Sequence, residues 1–194
     1  MVMKSFEDKL PKGFGDFFDK NGSAHAGDLE IRCTTLDQLT DKDVEQIDAV
    51  RERALDSFEH DTGNRVSRVP ISEELRMLPE GLTPLDKLVL RAYEGDKLVA
   101  YAHVLCGWPH STEWTIEQLI LNPDYRLKGI GTRVVSAIEE LANHAEIRAT
   151  AIMSMPSRPG AASFWNKLGY ETEEKPAKEK FGDASVNILR KSLY

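Results

Sequence analysis

Apolar residues recur along this chain with two periods, and the changes of period predict its elements. Leu29-Glu30-Ile31-Arg32-Cys33 alternates apolar and polar, as a half-buried strand does. After Thr40, which makes a weak capping pattern with Asp43, the residues Val44, Ile47, Val50, Ala54, Leu55 and Phe58 recur at helical spacing. Gly63-Asn64 breaks that helix. A second, short helix is predicted from Ile71 to Leu78, ended by Pro79-Glu80-Gly81. Leu88 to Tyr93 and Leu98 to Leu105 read as two strands joined by a hairpin turn at Gly95-Asp96. Trp114 to Leu121 follows as a third. Ile130, Val134, Ile138, Leu141 and Ala145 then mark the apolar face of a longer helix. Arg148 to Met153 reads as a strand and Ala161 to Leu168 as a short helix stopped by Gly169. Tyr170 starts another strand, Glu171 to Lys180 is a charged loop, and Val186 to Leu193 closes the sheet.

The order β-α-α-β-β-β-α-β-α-β-β predicts an α/β sandwich: a mixed central sheet of about seven strands with helices on both faces. Residues 28–194 are read as one domain, and 194 residues are enough for a substantial core. Residues 1–27 are read as an N-terminal extension. Phe6, Leu10, Phe14, Phe17 and Phe18 have near-helical spacing there, but Pro11, Gly13 and Gly15 interrupt it. Such aromatic surface calls for burial on the domain or on a second subunit, as in a homodimer. Asn21-Gly22-Ser23 reads as a flexible linker.

Charge narrows the function. A net charge of −7 argues against a nucleic-acid binder, which needs a basic surface. The balance leaves room for a cationic acceptor such as an amine. No apolar run reaches membrane-spanning length, and an N-terminus that turns acidic at Glu7-Asp8 is no signal peptide. Cys33 and Cys106 lack metal-site spacing, so no metal is expected, and reduced thiols suggest the cytoplasm.

The most specific local signal is Arg126-Leu127-Lys128-Gly129-Ile130-Gly131, an R-x-x-G-x-G turn between the Ile116–Leu121 run and the long helix. Glycines let a ligand approach the backbone closely, and the helix start offers unpaired N–H groups and a positive dipole end. Such a site takes phosphate. The nucleotide P-loop pattern is absent. A dinucleotide fingerprint fails because Val134 stands where its third glycine belongs. Another pyrophosphate carrier is favoured by elimination.

The stretch Glu117-Gln118-Leu119-Ile120-Leu121-Asn122-Pro123-Asp124-Tyr125-Arg126-Leu127-Lys128-Gly129-Ile130-Gly131 resembles the coenzyme A-binding segment of the GNAT superfamily of N-acetyltransferases. Ala162-Ser163-Phe164-Trp165-Asn166-Lys167-Leu168-Gly169-Tyr170 resembles that superfamily's later signature, Phe-Tyr-x-Lys-x-Gly-Phe. Together they cover about a third of the chain. The resemblance implies a GNAT-like fold and acetyl-CoA as acyl donor. The acceptor is then a primary amine of a small molecule or of a protein. Backbone groups of Leu119, Ile120 and Leu121 would pair with pantetheine, with one N–H as oxyanion donor. Arg126 would add charge, and the amides from Leu127 through Lys128, Gly129, Ile130 and Gly131 to Thr132 would hold the pyrophosphate.

Amine acylation needs a base, a stabilised oxyanion and a leaving thiolate. Glu117 stands where many superfamily members place a catalytic glutamate and is the candidate base. Glu113 is its rival. Trp165 departs from the pattern, because the usual tyrosine acid belongs there and an indole is no acid of useful strength. That vacancy supports a second reading, a non-catalytic acyl-CoA-binding sensor or interaction module. Glu59, His60 and Asp61 follow the first helix and either line an acceptor pocket with acidic groups or, the favoured reading, form a polar helix end; Trp108, His110 and Trp114 either floor such a pocket or pack the sheet end; and mid-strand His103 reads as a core histidine in preference to a base. Arg158 stands where related enzymes often carry an asparagine.

Overall fold

The computed structural model describes residues 18–19, 22–54, 69–154, 159–172, 180–181, 184–185 and 187–193. Its elements in chain order are β1 (Ser23–Ala26), β2 (Leu29–Thr35), α1 (Asp41–Arg53), α2 (Ile71–Arg76), β3 (Lys87–Glu94), β4 (Lys97–Cys106) and β5 (Glu113–Leu121). They continue as α3 (Ile130–His144), β6 (Ala149–Ser154), α4 (Pro159–Lys167), β7 (Glu171–Thr172), β8 (Lys180–Phe181), β9 (Ala184–Ser185) and β10 (Asn187–Ser192). The main sheet is mixed, in the order β1-β2-β3-β4-β5-β6-β10-β7, and β8 and β9 form a separate pair.

The expected α/β sandwich is present, with eight strands in the main sheet where about seven were expected. The unforeseen one is β1. Gly27, at φ 70°, turns the chain so that Ser23–Ala26 pairs antiparallel with Leu29–Arg32. Cys33 N–H also donates to Gly22 O at 2.8 Å, so the Gly22-Ser23 part of the expected linker lies against the sheet. Phe18 is buried in the core, whereas Phe6, Leu10, Phe14 and Phe17 lie outside the described residues.

Local chemistry sets the element ends. Thr40 and Asp43 form a full capping box on α1. The second helix stops at Arg76 and not Leu78, because Leu78 precedes Pro79 and Met77 has already turned extended at ψ 119°. Gly95, at φ 59°, makes the β3–β4 turn.

Two cores lie on opposite faces of the sheet. One, toward α3 and α4, holds Leu88, Leu90, Ala102, Ile116, Val134, Ile138 and Trp165. The other, toward α1 and α2, holds Ile47, Val50, Leu75, Val89, Tyr101 and Ile120. The α3 face is apolar throughout, because Ile130, Val134, Ile138 and Leu141 recur on one side of that helix.

Candidate functional site

β5 and β6 pair in parallel only from Glu113↔Ala149 to Ile116↔Ile152. Beyond that point β5 runs on to Leu121 and β6 to Ser154 without pairing with each other, each still laddered on its other edge, to β4 and to β10. Among the described residues, the β5 edge from Glu117 to Leu121 that faces β6 therefore has no ladder partner. Free strand N–H and C=O groups must find another partner or water. Leu119 and Leu121 are partly buried against the α3-side core, and Ile120 is buried in the opposite one. Their side chains are core, and what this edge offers a ligand is backbone.

The chain leaves β5 through a turn at Pro123–Tyr125, where Asn122 Oδ1 accepts from Asp124 N–H. Asn122 N–H donates to Val99 O at 2.9 Å and fixes the turn beside β4. Leu127 follows at φ 62° with its side chain fully exposed, and Gly129 caps α3 at φ 76°. The starts of α1 and α3 differ. α1 begins with Asp41 and Asp43 and a threonine cap, whereas α3 has no acidic residue in its first turn and no side-chain cap. The first amides of α3, Ile130 to Thr132, thus keep their uncompensated positive end. Ile130 and Gly131 are buried and Thr132 is exposed. A Cβ on Gly131 would lie 3.2 Å from the Phe164 ring and 3.7 Å from Leu121, so glycine is what lets β5, α3 and α4 meet. Arg126 is half-buried and Lys128 exposed, with Lys128 Nζ 4.6 Å from the centre of the Tyr125 ring.

Glu117 sits where β4 and β5 slip register. His103 pairs with Gln118 and Val104 with Ile116, leaving Glu117 as the extra residue of a bulge. The bulge puts two successive polar side chains, Glu117 and Gln118, on the α1–α2 face. There Glu117 Oε2 lies 2.7 Å from Lys87 Nζ. The contact is an ion pair. Lys87 is 2% exposed, and its Nζ also donates to Met77 O at 3.2 Å. Beside it Gln118 Nε2 donates to Glu74 Oε1 at 2.5 Å, and Glu74 Oε2 pairs with Arg51 at 3.1 Å. Arg91 pairs with Asp43 on the same face. Each of these buried cations has its carboxylate, as a low-dielectric site requires.

Lys87, Glu74, Gln118 and Arg51 were not foreseen. A lysine opening a strand reads as exposed, and only the pairing of β3, β4 and β5 brings Lys87 to Glu117.

The other candidates sort clearly. His103 is buried next to Tyr101, ring centres 5.2 Å apart, and burial with the nearby Lys87 and Arg51 charges pushes its imidazole down to about 3. It is a neutral histidine in the fold and no base. Glu113 is tied to Arg190 at 3.0 Å. Burial pushes the Cys106 thiol well up, which disfavours the thiolate a nucleophile needs. Trp114 is core, and Trp108 O accepts from Thr115 Oγ1 at 2.8 Å. Trp165 is 5% exposed and packs edge-on against Phe164 and Tyr170. Tyr170 is buried with its hydroxyl 2.9 Å from Thr150 Oγ1. Glu59, His60, Asp61 and Arg158 lie outside the described residues. Among the described residues no group of three or more His, Cys, Asp and Glu is placed to hold a metal, and no helix is long and apolar enough to cross a membrane.

The sequence profile of the acetyltransferase (GNAT) family matches residues 48–170. No curated protein matches the chain. Among solved structures, an acetyltransferase from Thermus thermophilus superimposes with a TM-score of 0.64 at 16% identity, over 84% of this chain and 96% of that one. The PaiA N-acetyltransferase from Thermoplasma acidophilum, solved with coenzyme A, gives 0.57 at 19% identity, over 84% and 98%. At such identities the likeness is one of fold.

Proposed function

The chain belongs to the acetyltransferase (GNAT) family, and we propose that it moves an acetyl group from acetyl-CoA directly to a primary amine in a ternary complex. The observation that carries this reading is the parting of β5 from β6 beside a glycine-capped helix start with no acid of its own. The free edge of β5 at Leu119, Ile120 and Leu121 pairs with the pantetheine amides. Amides from Leu127 to Thr132 hold the pyrophosphate, with Arg126 and Lys128 adding charge.

Glu117 takes a proton from the acceptor's ammonium. The freed nitrogen lone pair attacks the thioester carbon, and a C–N bond forms. Negative charge on the carbonyl oxygen is met by a β5 N–H. The C–S bond then breaks and the electron pair leaves with sulfur. A thiol of ordinary pKa near 8.5 departs without a strong acid, so water completes the proton path. Trp165, held in the core, has no part in it. The two free cysteines fit a cytoplasmic location.

A second reading, a non-catalytic acyl-CoA sensor, is favoured by one feature. The candidate base is already engaged by a buried lysine. The test is calorimetric titration with acetyl-CoA and coenzyme A, followed by an amine screen read by thiol release. Micromolar binding with thiol release is the expected result. Binding without release from any amine supports the sensor, and a folded sample that binds neither defeats both readings.

A further inference from the structure

We infer that Lys87 is a positioning residue for Glu117: it holds one carboxylate oxygen, so that the rest of the side chain is presented in one orientation to the acceptor amine. The inference rests on the reading of Glu117 as the base and names the residue that sets that base in place.

Lys87 opens β3 and Glu117 lies on β5, with β4 between them. Neighbouring strands stand about 4.8 Å apart, so the two side chains have to extend toward each other across β4 in order to meet. They do so, with Nζ 2.7 Å from Oε2. A lysine at a strand end has an easy path to water, because its long stem lets the ammonium reach out. Lys87 does not take that path, and its side chain is 2% exposed. Ordering the stem costs rotamer freedom, and burying the charge costs solvation. A buried ion pair returns little of this as stability, since apolar residues of similar volume often serve the fold as well or better. Stability is thus a poor reason for a lysine at this position, and the chemistry at Glu117 is a better one.

Three features make the contact a clamp. Glu117 is the extra residue of the β4–β5 bulge, so no residue of β4 stands opposite to hold it, and Lys87 supplies the contact from one strand further on. Lys87 Nζ also donates to Met77 O at 3.2 Å, which anchors the ammonium on backbone independently of the carboxylate. Finally, Glu117 Oε2 is buried while the side chain as a whole is 22% exposed, so the exposure belongs to its other atoms. The other charged groups of this face are engaged elsewhere. Arg51 pairs with Glu74 and donates to Val69 O, Arg91 pairs with Asp43, and His103 is neutral. The terminal torsion of a glutamate is broad, whereas a base acts only within hydrogen-bond reach of the proton it takes. Fixing Oε2 fixes that torsion.

The test is kinetic. It uses the full chain, acetyl-CoA, and whichever of ethanolamine, glucosamine, spermidine, alaninamide and Nα-acetyl-lysine amide releases most thiol. Lys87→Met is measured alone and in the Glu117→Gln background, with circular dichroism and acetyl-CoA affinity as checks on the fold. Alone it is expected to lower kcat about thirtyfold, the order of a misplaced reacting group, and to leave the acetyl-CoA KM unchanged. In the Glu117→Gln background it should lower the residual kcat by no more than about twofold, because the group it positions is gone. A lysine that serves only the fold would cost the same factor in both backgrounds. That result, or no loss in either, overturns the inference while the enzyme reading stands. If Lys87→Met does not fold, Lys87→Gln, which keeps a donor, replaces it in the same comparison. Unchanged turnover in Glu117→Gln alone, or no thiol release with any of the five amines, overturns the base reading and the inference with it.

Discussion

The two faces of the central sheet are built on different principles. Toward α3 the sheet presents aliphatic and aromatic side chains, and the candidate cofactor site beside them consists of backbone: a free strand edge, a glycine cap and the amides of a helix start. Toward α1 and α2 it buries Lys87, Arg91 and His103, and on that face Lys87 pairs with Glu117, Arg91 with Asp43, and Arg51 of α1 with Glu74. A ligand common to many relatives can be held by main-chain groups, which leaves the side chains free to fill a core. Charge stored on side chains is residue-specific, and it lies on the face where Glu117 points. The contrast teaches that cofactor binding and turnover should separate by face when single residues are changed.

The strongest break of that separation is Gly129→Val. A β-branched residue at φ 76° is strained, and the helix start that offers its amides must shift. Coenzyme A affinity should fall about a hundredfold or more in calorimetry, while circular dichroism shows the fold intact. Glu117→Gln tests the other face. Turnover of an acceptor found by the amine screen should drop by about 10²–10³, the span of a lost general base, with acetyl-CoA affinity unchanged. Equal loss of affinity would mean that the faces are not independent.

Lys87→Met sharpens the same contrast as a stability measurement. The single change strands Glu117, and Glu117→Leu strands Lys87, each costing about 2–4 kcal/mol in urea unfolding. The double variant should lose less than the sum of the two, because neither charge is left alone. Additive losses would show that the 2.7 Å approach carries no coupling.

The smallest effect comes from His103. Its folded value near 3 lies below the unfolded 6.5, so between those limits the unfolded chain binds a proton that the folded chain refuses. Stability contributed by the neutral ring is full above pH 6.5 and falls toward pH 3, by about 1.4 kcal/mol per unit within the window. Over a single unit, from pH 6 to pH 5, His103→Leu should flatten the decline of folding free energy by about 1 kcal/mol. An unchanged slope would mean that the ring protonates in the folded state.

Much of this was legible because it is local. Thr40 and Asp43 cap α1, Gly95 turns the hairpin, and Gly169 at φ 87° ends α4, each through contacts within a few residues. The R-x-x-G-x-G turn belongs with these, since a strand, glycines and a helix start follow one another in the chain. β1 was missed because Ser23–Ala26 is short and its small residues give no alternation. It is a strand only because Gly27 folds it back on β2.

Hydrophobic period and turn chemistry, which act over a few residues, were enough to give the succession of elements after β1 and the glycine-rich turn from Arg126 to Gly131. Tertiary structure alone decided that β5 outruns β6, that a bulge turns Glu117 and Gln118 to one face, and that Lys87 meets Glu117 there. Those facts depend on strand register and on burial of charge against distant partners, and neither is written in any short stretch of the chain.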